Sequence, residues 1–336
     1  MAKTKIRKIL TTCFKIGIAI FVVFYLFRND WLTKESFIKL FKVDNLLLIG
    51  VSSCFFVAAQ LLYASRFFLL LKAIDFPLHF LNTFRLIMIG NFFNTVIPGM
   101  IGGDLVKGFY LFKHEERSKG QSAGIIIMDR IFGLLALLTI AAASLIYVLS
   151  QKDALLSAYR YECRIILGVV GTSLVLFGVV FLLGRNPWVQ ARMNTILKYI
   201  FFRDLFYRLL SSFGAIIQNR RILICSFLIS LLIQLFSLTS LLILGQIVFE
   251  IHPDVITLAA VSSIVILISI IPMTPGNIGW TELIAALGWS AMGSKAGAET
   301  FLYWRILSVF WSIPGGLFYL AFDTKWISVQ KGEEFS

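Results

Sequence analysis

Asn94-Thr95-Val96-Ile97-Pro98-Gly99-Met100-Ile101-Gly102-Gly103-Asp104-Leu105-Val106-Lys107 interrupts a long apolar run with three glycines and a proline, and a carboxylate follows at once. Proline removes a backbone donor and glycine loosens the chain, so a helix entering this stretch breaks inside membrane-compatible sequence. Freed backbone N–H and C=O groups are tolerated in hydrocarbon only where protein buries them or a cavity wets them. The stretch therefore reads as a candidate site. The same device returns as Pro275-Gly276-Asn277-Ile278-Gly279-Trp280-Thr281-Glu282. Both copies spell Pro-Gly-x-x-Gly and place a carboxylate within three residues of that last glycine.

The sequence around these breaks is that of a membrane protein. Of 336 residues 58% are apolar and 15% charged, with a mean hydropathy of +0.86, where a soluble chain carries about 25% charged residues. Apolar runs over 9–27, 46–65, 122–149, 163–184, 222–249 and 299–322 are each long enough for a spanning helix. The fold class is an all-α polytopic membrane protein of about six full spans plus two re-entrant hairpins, 80–112 and 256–292. Each hairpin is read as re-entrant because a piece such as 104–112 rises only about 13 Å as helix, against a core of about 30 Å.

The net charge of +13 lies in short loops between apolar runs. That is the pattern of topology determinants and anionic-lipid contacts, and it argues against nucleic acid. Lys3, Lys5, Arg7 and Lys8 precede the first run, and Arg28-Asn29-Asp30-Trp31 stands where small cleavage-site residues would be needed. The N-terminus is thus expected to be a retained anchor, with both termini cytoplasmic in a bacterial-type inner membrane. The segment 185–221, with Arg185, Arg192, Lys198, Arg203, Arg208, Arg220 and Arg221 among interleaved apolar residues, reads as a basic cytoplasmic segment along the inner leaflet. Cys13, Cys54, Cys163 and Cys225 occur singly in apolar runs and are expected as core thiols. No metal or cofactor signature appears, and no stretch is polar enough to form a soluble catalytic domain.

On this topology the chain is one transmembrane domain with an inverted repeat, 46–149 followed by 222–322. Pro98 to Arg130 is 32 residues and Pro275 to Arg305 is 30. Inverted repeats with broken helices are a transporter pattern. Carboxylates inside membrane segments are costly, so Asp104 and Glu282 are candidates for ion or proton coupling as well as caps for the following half-helix. Arg130 lies about 12 Å inside its span, too deep to snorkel easily, and needs Asp104, Glu282 or a substrate phosphate as partner. Arg305 and Lys107 read either as interfacial anchors or as phosphate contacts. Asp129 points about 100° away from Arg130 and serves another neighbour. Gly99, Gly102, Gly103, Gly276 and Gly279 permit sharp turns whose half-helix N-termini suit an anion, or they are packing kinks.

Asn94-x-x-x-Pro98-x-x-x-Gly102-Gly103-Asp104-x-x-Lys107, Asp129-Arg130-x-x-Gly133, Pro272-x-x-Pro275-Gly276-x-x-Gly279-x-x-Glu282 and Arg305 with Pro314-Gly315 together resemble the lysylphosphatidylglycerol synthase transmembrane, flippase-like family, over nearly the whole chain. The resemblance implies movement of phosphate-bearing lipids or polyprenyl-linked intermediates between leaflets. In the family's founding members lysyl transfer belongs to a separate soluble domain, so an enzyme is not expected here. The implied partners are an anionic phospholipid or lipid-linked intermediate and envelope-synthesis proteins. The competing expectations are a membrane-embedded transferase or accessory subunit in lipid or envelope-glycan modification, and a non-catalytic scaffold.

Overall fold

The computed structural model describes residues 24, 26, 28, 34–40, 42–96, 102–114, 119–150, 160–184, 214, 216, 218–248, 254–271 and 273–321. Ten α-helices order them: α1 (Lys34–Leu40), α2 (Leu46–Lys72), α3 (Phe80–Val96), α4 (Gly102–His114), α5 (Lys119–Ser150), α6 (Arg160–Gly184), α7 (Arg220–Gly245), α8 (Val255–Ile268), α9 (Trp280–Ser290) and α10 (Gly297–Ala321). The expected first turn with Pro98 and Gly99, most of the 9–27 run and most of the basic 185–221 segment lie outside the described residues.

Helix starts follow local chemistry. Asn219 accepts the N–H of Ile222 at 3.2 Å ahead of α7, and Asp254 accepts the N–H and hydroxyl of Thr257, both at 3.1 Å, ahead of α8. The stretches Val43–Lys72, Gly120–Ser150, Arg160–Val179 and Arg220–Gly245 are long and apolar enough to cross a bilayer. On α7, Ile224, Leu228, Leu232 and Leu235 form an exposed apolar stripe, as expected of a helix with lipid rather than water on its outer face. Cys54 and Cys225 are exposed, which corrects the expectation of core thiols: in a membrane protein an apolar run presents one face to lipid and need not be buried in protein. The α2 helix runs seven residues past the expected end of its span, to Lys72.

Both broken regions are pairs of short helices. The 17 residues of α3, 13 of α4, 14 of α8 and 11 of α9 rise about 25, 20, 21 and 16 Å, each short of a bilayer core. The two helices of each pair pack on one another. Around them the packing repeats. Exchanging α2 with α7, α3 with α8, α4 with α9 and α5 with α10 maps the pair α3–α10 onto α5–α8, α4–α5 onto α9–α10 and α2–α3 onto α7–α8, all of which are packed. The largest interface, α2–α7, maps onto itself.

That interface also gives the sense of the repeat. Ser52 donates to the carbonyl of Ser240 at 2.8 Å, the rings of Phe55 and Phe236 meet edge to face at 5.5 Å, and Arg66 reaches Ser230 at 2.8 Å. Numbers rising along α2 meet numbers falling along α7, so the two equivalent helices are antiparallel. Two apolar cores follow. One gathers the C-terminal half of α2 (Ala64, Phe67, Leu70, Leu71) with Leu86, Leu111, Ile125 and Phe132. The other gathers the C-terminal end of α7 (Leu241, Leu244) with Leu258, Ala285, Trp289, Phe301 and Leu307. Because α2 and α7 are antiparallel, these cores sit toward opposite ends of the seam.

Glycine is required where backbones touch. A Cβ on Gly103 would overlap the carbonyl oxygen of Gly90, and one on Gly90 would come within 2.8 Å of Lys107 Cε. Gly103→Ala is therefore expected to destabilise the protein by about 1–3 kcal/mol, while Gly50→Ala and Gly168→Ala, with nothing within 4 Å of the added atom, leave the thermal transition of the detergent-solubilised protein unchanged. Equal transitions for all three variants would contradict the close α3–α4 crossing.

Candidate functional site

The glycine pair Gly102-Gly103 opens α4, and the N–H of Gly103, which has no acceptor within its own helix, donates to Asn94 Oδ1 at 2.8 Å, so the end of α3 caps the start of α4 across the break. Asp104 follows in the first turn of α4. Its Oδ2 accepts from Arg130 Nε on α5 at 2.7 Å and its Oδ1 from Lys107 Nζ at 3.3 Å. Lys107 is fully buried. Its ammonium donates to the Tyr63 hydroxyl at 2.7 Å and stands 4.9 Å from the Tyr63 ring centroid and 5.5 Å from that of Phe67. It is therefore neither an interfacial anchor nor an open phosphate contact, but the inner partner of Asp104.

Asp129, one residue before Arg130, faces elsewhere as helical geometry requires. Its Oδ1 accepts from Arg66 Nε at 2.9 Å and Nη2 at 2.8 Å. Arg66 Nη1 donates to Ser230 Oγ on α7 at 2.8 Å, and the guanidinium lies 5.0 Å from the Tyr63 ring. Arg66 and Asp129 are both buried. The cluster thus joins α2, α4, α5 and α7 and holds three cations, Arg66, Lys107 and Arg130, against two carboxylates. The Arg130 side chain alone among those three is widely accessible, at 49% of its surface.

The second break is built on the same plan with a different purpose. Gly276, Asn277 and Gly279 have φ of 62°, 54° and 79°, the left-handed region that glycine and asparagine tolerate best. Asn277 Nδ2 donates to the Ser269 carbonyl at the end of α8, and Thr274 Oγ1 donates to the Ile278 carbonyl at 2.8 Å. Glu282 reaches back to the N-cap of α9: its Oε2 accepts the N–H of Gly279 at 2.8 Å. Its Oε1 accepts from Arg305 Nε at 2.6 Å, while Arg305 Nη1 and Nη2 donate to the carbonyls of Gly276 and Asn277 at 2.8 and 2.9 Å. Arg305 is thus a three-pronged clamp on the turn that follows Pro275.

The thirteen residues singled out in the sequence fall into two groups. Asn94, Gly102, Gly103, Asp104, Lys107 and Arg130 come together at the first break, with Pro98 and Gly99 outside the described residues. Pro275, Gly276, Gly279, Glu282 and Arg305 come together at the second. Among the described residues the two groups meet α2 at different levels. Trp304, beside Arg305, meets Phe56 on α2 with ring centroids 6.4 Å apart, whereas Asp129, beside Arg130, meets Arg66. These α2 positions are ten residues, or about 15 Å, apart along the helix. Arg66 falls one residue past the 46–65 span, and the apolar run Phe67–Leu71 that follows it is the signal that the helix continues; Tyr63 lies within the span, and nothing in the sequence distinguishes it there from other apolar-run aromatics.

Arg305→Ala strands a buried carboxylate and two turn carbonyls, and is expected to cost about 3–5 kcal/mol. Arg130→Ala, at a half-exposed guanidinium, is expected to cost less than half as much. Thermal unfolding in detergent checks the order, and an equal or larger loss for Arg130→Ala would reverse the assignment of Arg305 as the structural clamp.

Comparison with known proteins gives the family. The family model described as the lysylphosphatidylglycerol synthase TM region matches residues 13–315. A UPF0104 membrane protein of Methanothermobacter thermautotrophicus is 22% identical over 242 residues, 66% of this chain and 67% of that protein. A UPF0104 membrane protein of Methanocaldococcus jannaschii is 28% identical over 76 residues, 22% of this chain and 23% of that protein. No solved structure matches. Both breaks, both carboxylates and both arginines lie inside the matched region, and the chain belongs to the lysylphosphatidylglycerol synthase TM region family of multi-pass membrane proteins.

Proposed function

We infer that the chain is a flippase-like transporter of a phosphate-bearing lipid or polyprenyl-linked substrate, resident in a cytoplasmic membrane with both termini on the cytoplasmic side. The observation that carries this reading is Arg130. Its Nε is anchored on Asp104 beside the N-terminus of a broken helix, and about half of its side chain remains accessible. An anion arriving there meets a cationic cluster with one charge in excess among Arg66, Lys107, Arg130, Asp104 and Asp129, together with the positive end of α4. Arg130 is preorganised by a carboxylate that leaves the outer part of the side chain reachable, a suitable geometry for a phosphate oxygen.

Of the two carboxylates, Asp104 is the one suited to couple protonation to transport. It is partly accessible and shared between two cations, so neutralising it releases both Arg130 and Lys107. Glu282 is buried, with one oxygen on Arg305 and the other on a backbone N–H, and its part is to keep the second turn closed. With the halves opposed, the first break opens to the cytoplasm and the second to the exterior, the arrangement that alternating access requires.

Leaflet exchange of a fluorescent phosphatidylglycerol in proteoliposomes tests the reading. Wild-type protein is expected to exceed protein-free vesicles, Arg130→Ala to fall by about 1.4 kcal/mol in rate terms, tenfold or more, and Arg130→Lys to retain an intermediate rate. Wild-type and Arg130→Ala rates that both equal the protein-free rate would count against transport of this lipid, and an Arg130→Ala rate equal to a fast wild-type rate would remove Arg130 from the path.

A further inference from the structure

Each of the two helices that follow a break grips its own half and then crosses to the other. The second-half helix α10 holds the Pro275–Gly279 turn through Arg305. Ten residues on, about 15 Å along the axis, Gly315 and Gly316 seat directly on α3. A Cβ on Gly315 would overlap the Met88 carbonyl, and one on Gly316 would come within 2.8 Å of the Phe92 ring. Further along, the ring of Tyr319 meets Phe93 at 5.0 Å, and Phe318 packs against the core of the first half. The seat lies within two turns of Asn94, whose side chain caps the first break. Pro314 sits inside α10 just before it, where it leaves the Phe310 carbonyl without its intrahelical donor while the helix continues to Ala321.

The first half answers in kind. α5 holds Asp104 through Arg130. Its far end places Leu145 and Val148 in one cluster with Ala260 and Ile264 of α8, the helix whose last turn receives Asn277 from the second break. Each carboxylate is thus tied to a helix whose other end rests on the opposite hairpin.

We propose that α5 and α10 are crossed levers that force the two breaks to change conformation together, so that loosening the Asp104 cluster alters the Pro275–Gly279 turn on the other side of the α2–α7 seam. The device rests on the transporter reading for its purpose, since breaks that moved independently would let both ends open at once. Its physical basis is separate. Two contacts join each continuous helix to two hairpins, and coupling is a free energy carried by elements that both sites bias. Sites this far apart with no shared partner respond additively unless such an element joins them.

The experiment contains no lipid, so its failure and a failure of transport are distinguishable. In a background with Cys13, Cys54, Cys163 and Cys225 replaced by serine, Ile278→Cys reports on the second turn, since that side chain is 51% exposed. Its rate of reaction with a small methanethiosulfonate is measured on purified protein with and without Asp104→Asn. The proposal expects the rate to change by about fivefold or more, and expects Gly315→Ala, which forces α10 off α3, to reduce that change by at least half. Phe92→Ala, which removes the same seat from the α3 side, serves where Gly315→Ala fails to elute as a monodisperse peak. An Ile278→Cys rate indifferent to Asp104→Asn overturns the levers, and a rate change that survives at full size when the seat is broken overturns the role of α10.

Discussion

A helix broken inside apolar sequence leaves backbone groups without partners, and hydrocarbon offers none. Satisfying those groups is the constraint from which the rest of this structure follows. At the second break three of these groups are met by side chains: Arg305 supplies two donors to the carbonyls of Gly276 and Asn277, and Glu282 supplies an acceptor for Gly279. The clamp must itself be neutralised, so the same Glu282 accepts from Arg305 Nε. At the first break Asn94 takes the Gly103 N–H, and an aspartate–arginine pair stands in the equivalent place. The acid comes first in sequence and the arginine 26 or 23 residues later, because the intervening short helix must finish and the next must return alongside it.

The two halves share this plan and differ in chemistry. Trp304 precedes the second arginine where Asp129 precedes the first. The tryptophan packs its ring on Phe56; the aspartate buries an ion pair with Arg66 that is braced by Ser230. A buried ion pair gains little over well-packed apolar groups, since desolvation offsets much of the attraction. Its presence, among the described residues, in one half alone is therefore poorly explained by stability. It is better explained by position: Asp129 adjoins Arg130, and the pair fixes α5 against both α2 and α7 where the accessible guanidinium emerges.

Much of this was legible before any coordinates. Proline and glycine mark the breaks, and only broken helices explain membrane-apolar pieces too short to cross. The spacing from each proline to its arginine pointed to a repeat, and the antiparallel contact of α2 with α7 gives that repeat its opposed sense. What the sequence concealed was distance. Equal motifs suggest one pocket ringed by both arginines, whereas the neighbours of those arginines meet α2 at Phe56 and Arg66, about 15 Å apart. Arg66 was concealed for another reason. A charge ending an apolar run looks like the start of a loop, and only a partner on another helix, Asp129, allows the helix to carry it inward. The division of labour between Arg130 and Arg305 was equally out of reach, because it depends on which carbonyls a guanidinium happens to face.

An inverted repeat gives a transporter two conformations for one design: if the halves were chemically identical, exchanging their shapes would yield the oppositely facing state at the same free energy. Here they are not identical. On the transport reading, moving the first half means disturbing a cluster of five charges of which Arg66, Lys107 and Asp129 are buried, whereas moving the second means opening a turn held by Arg305, Glu282, Asn277 and Thr274. Changes of a few kcal/mol between the two suffice to leave one state dominant. The contacts at which the two halves differ are Arg66 with Asp129 and Phe56 with Trp304. The resting orientation of such a protein would then be encoded along α2, ten residues apart on one helix, and be tunable there without altering the group that meets the substrate.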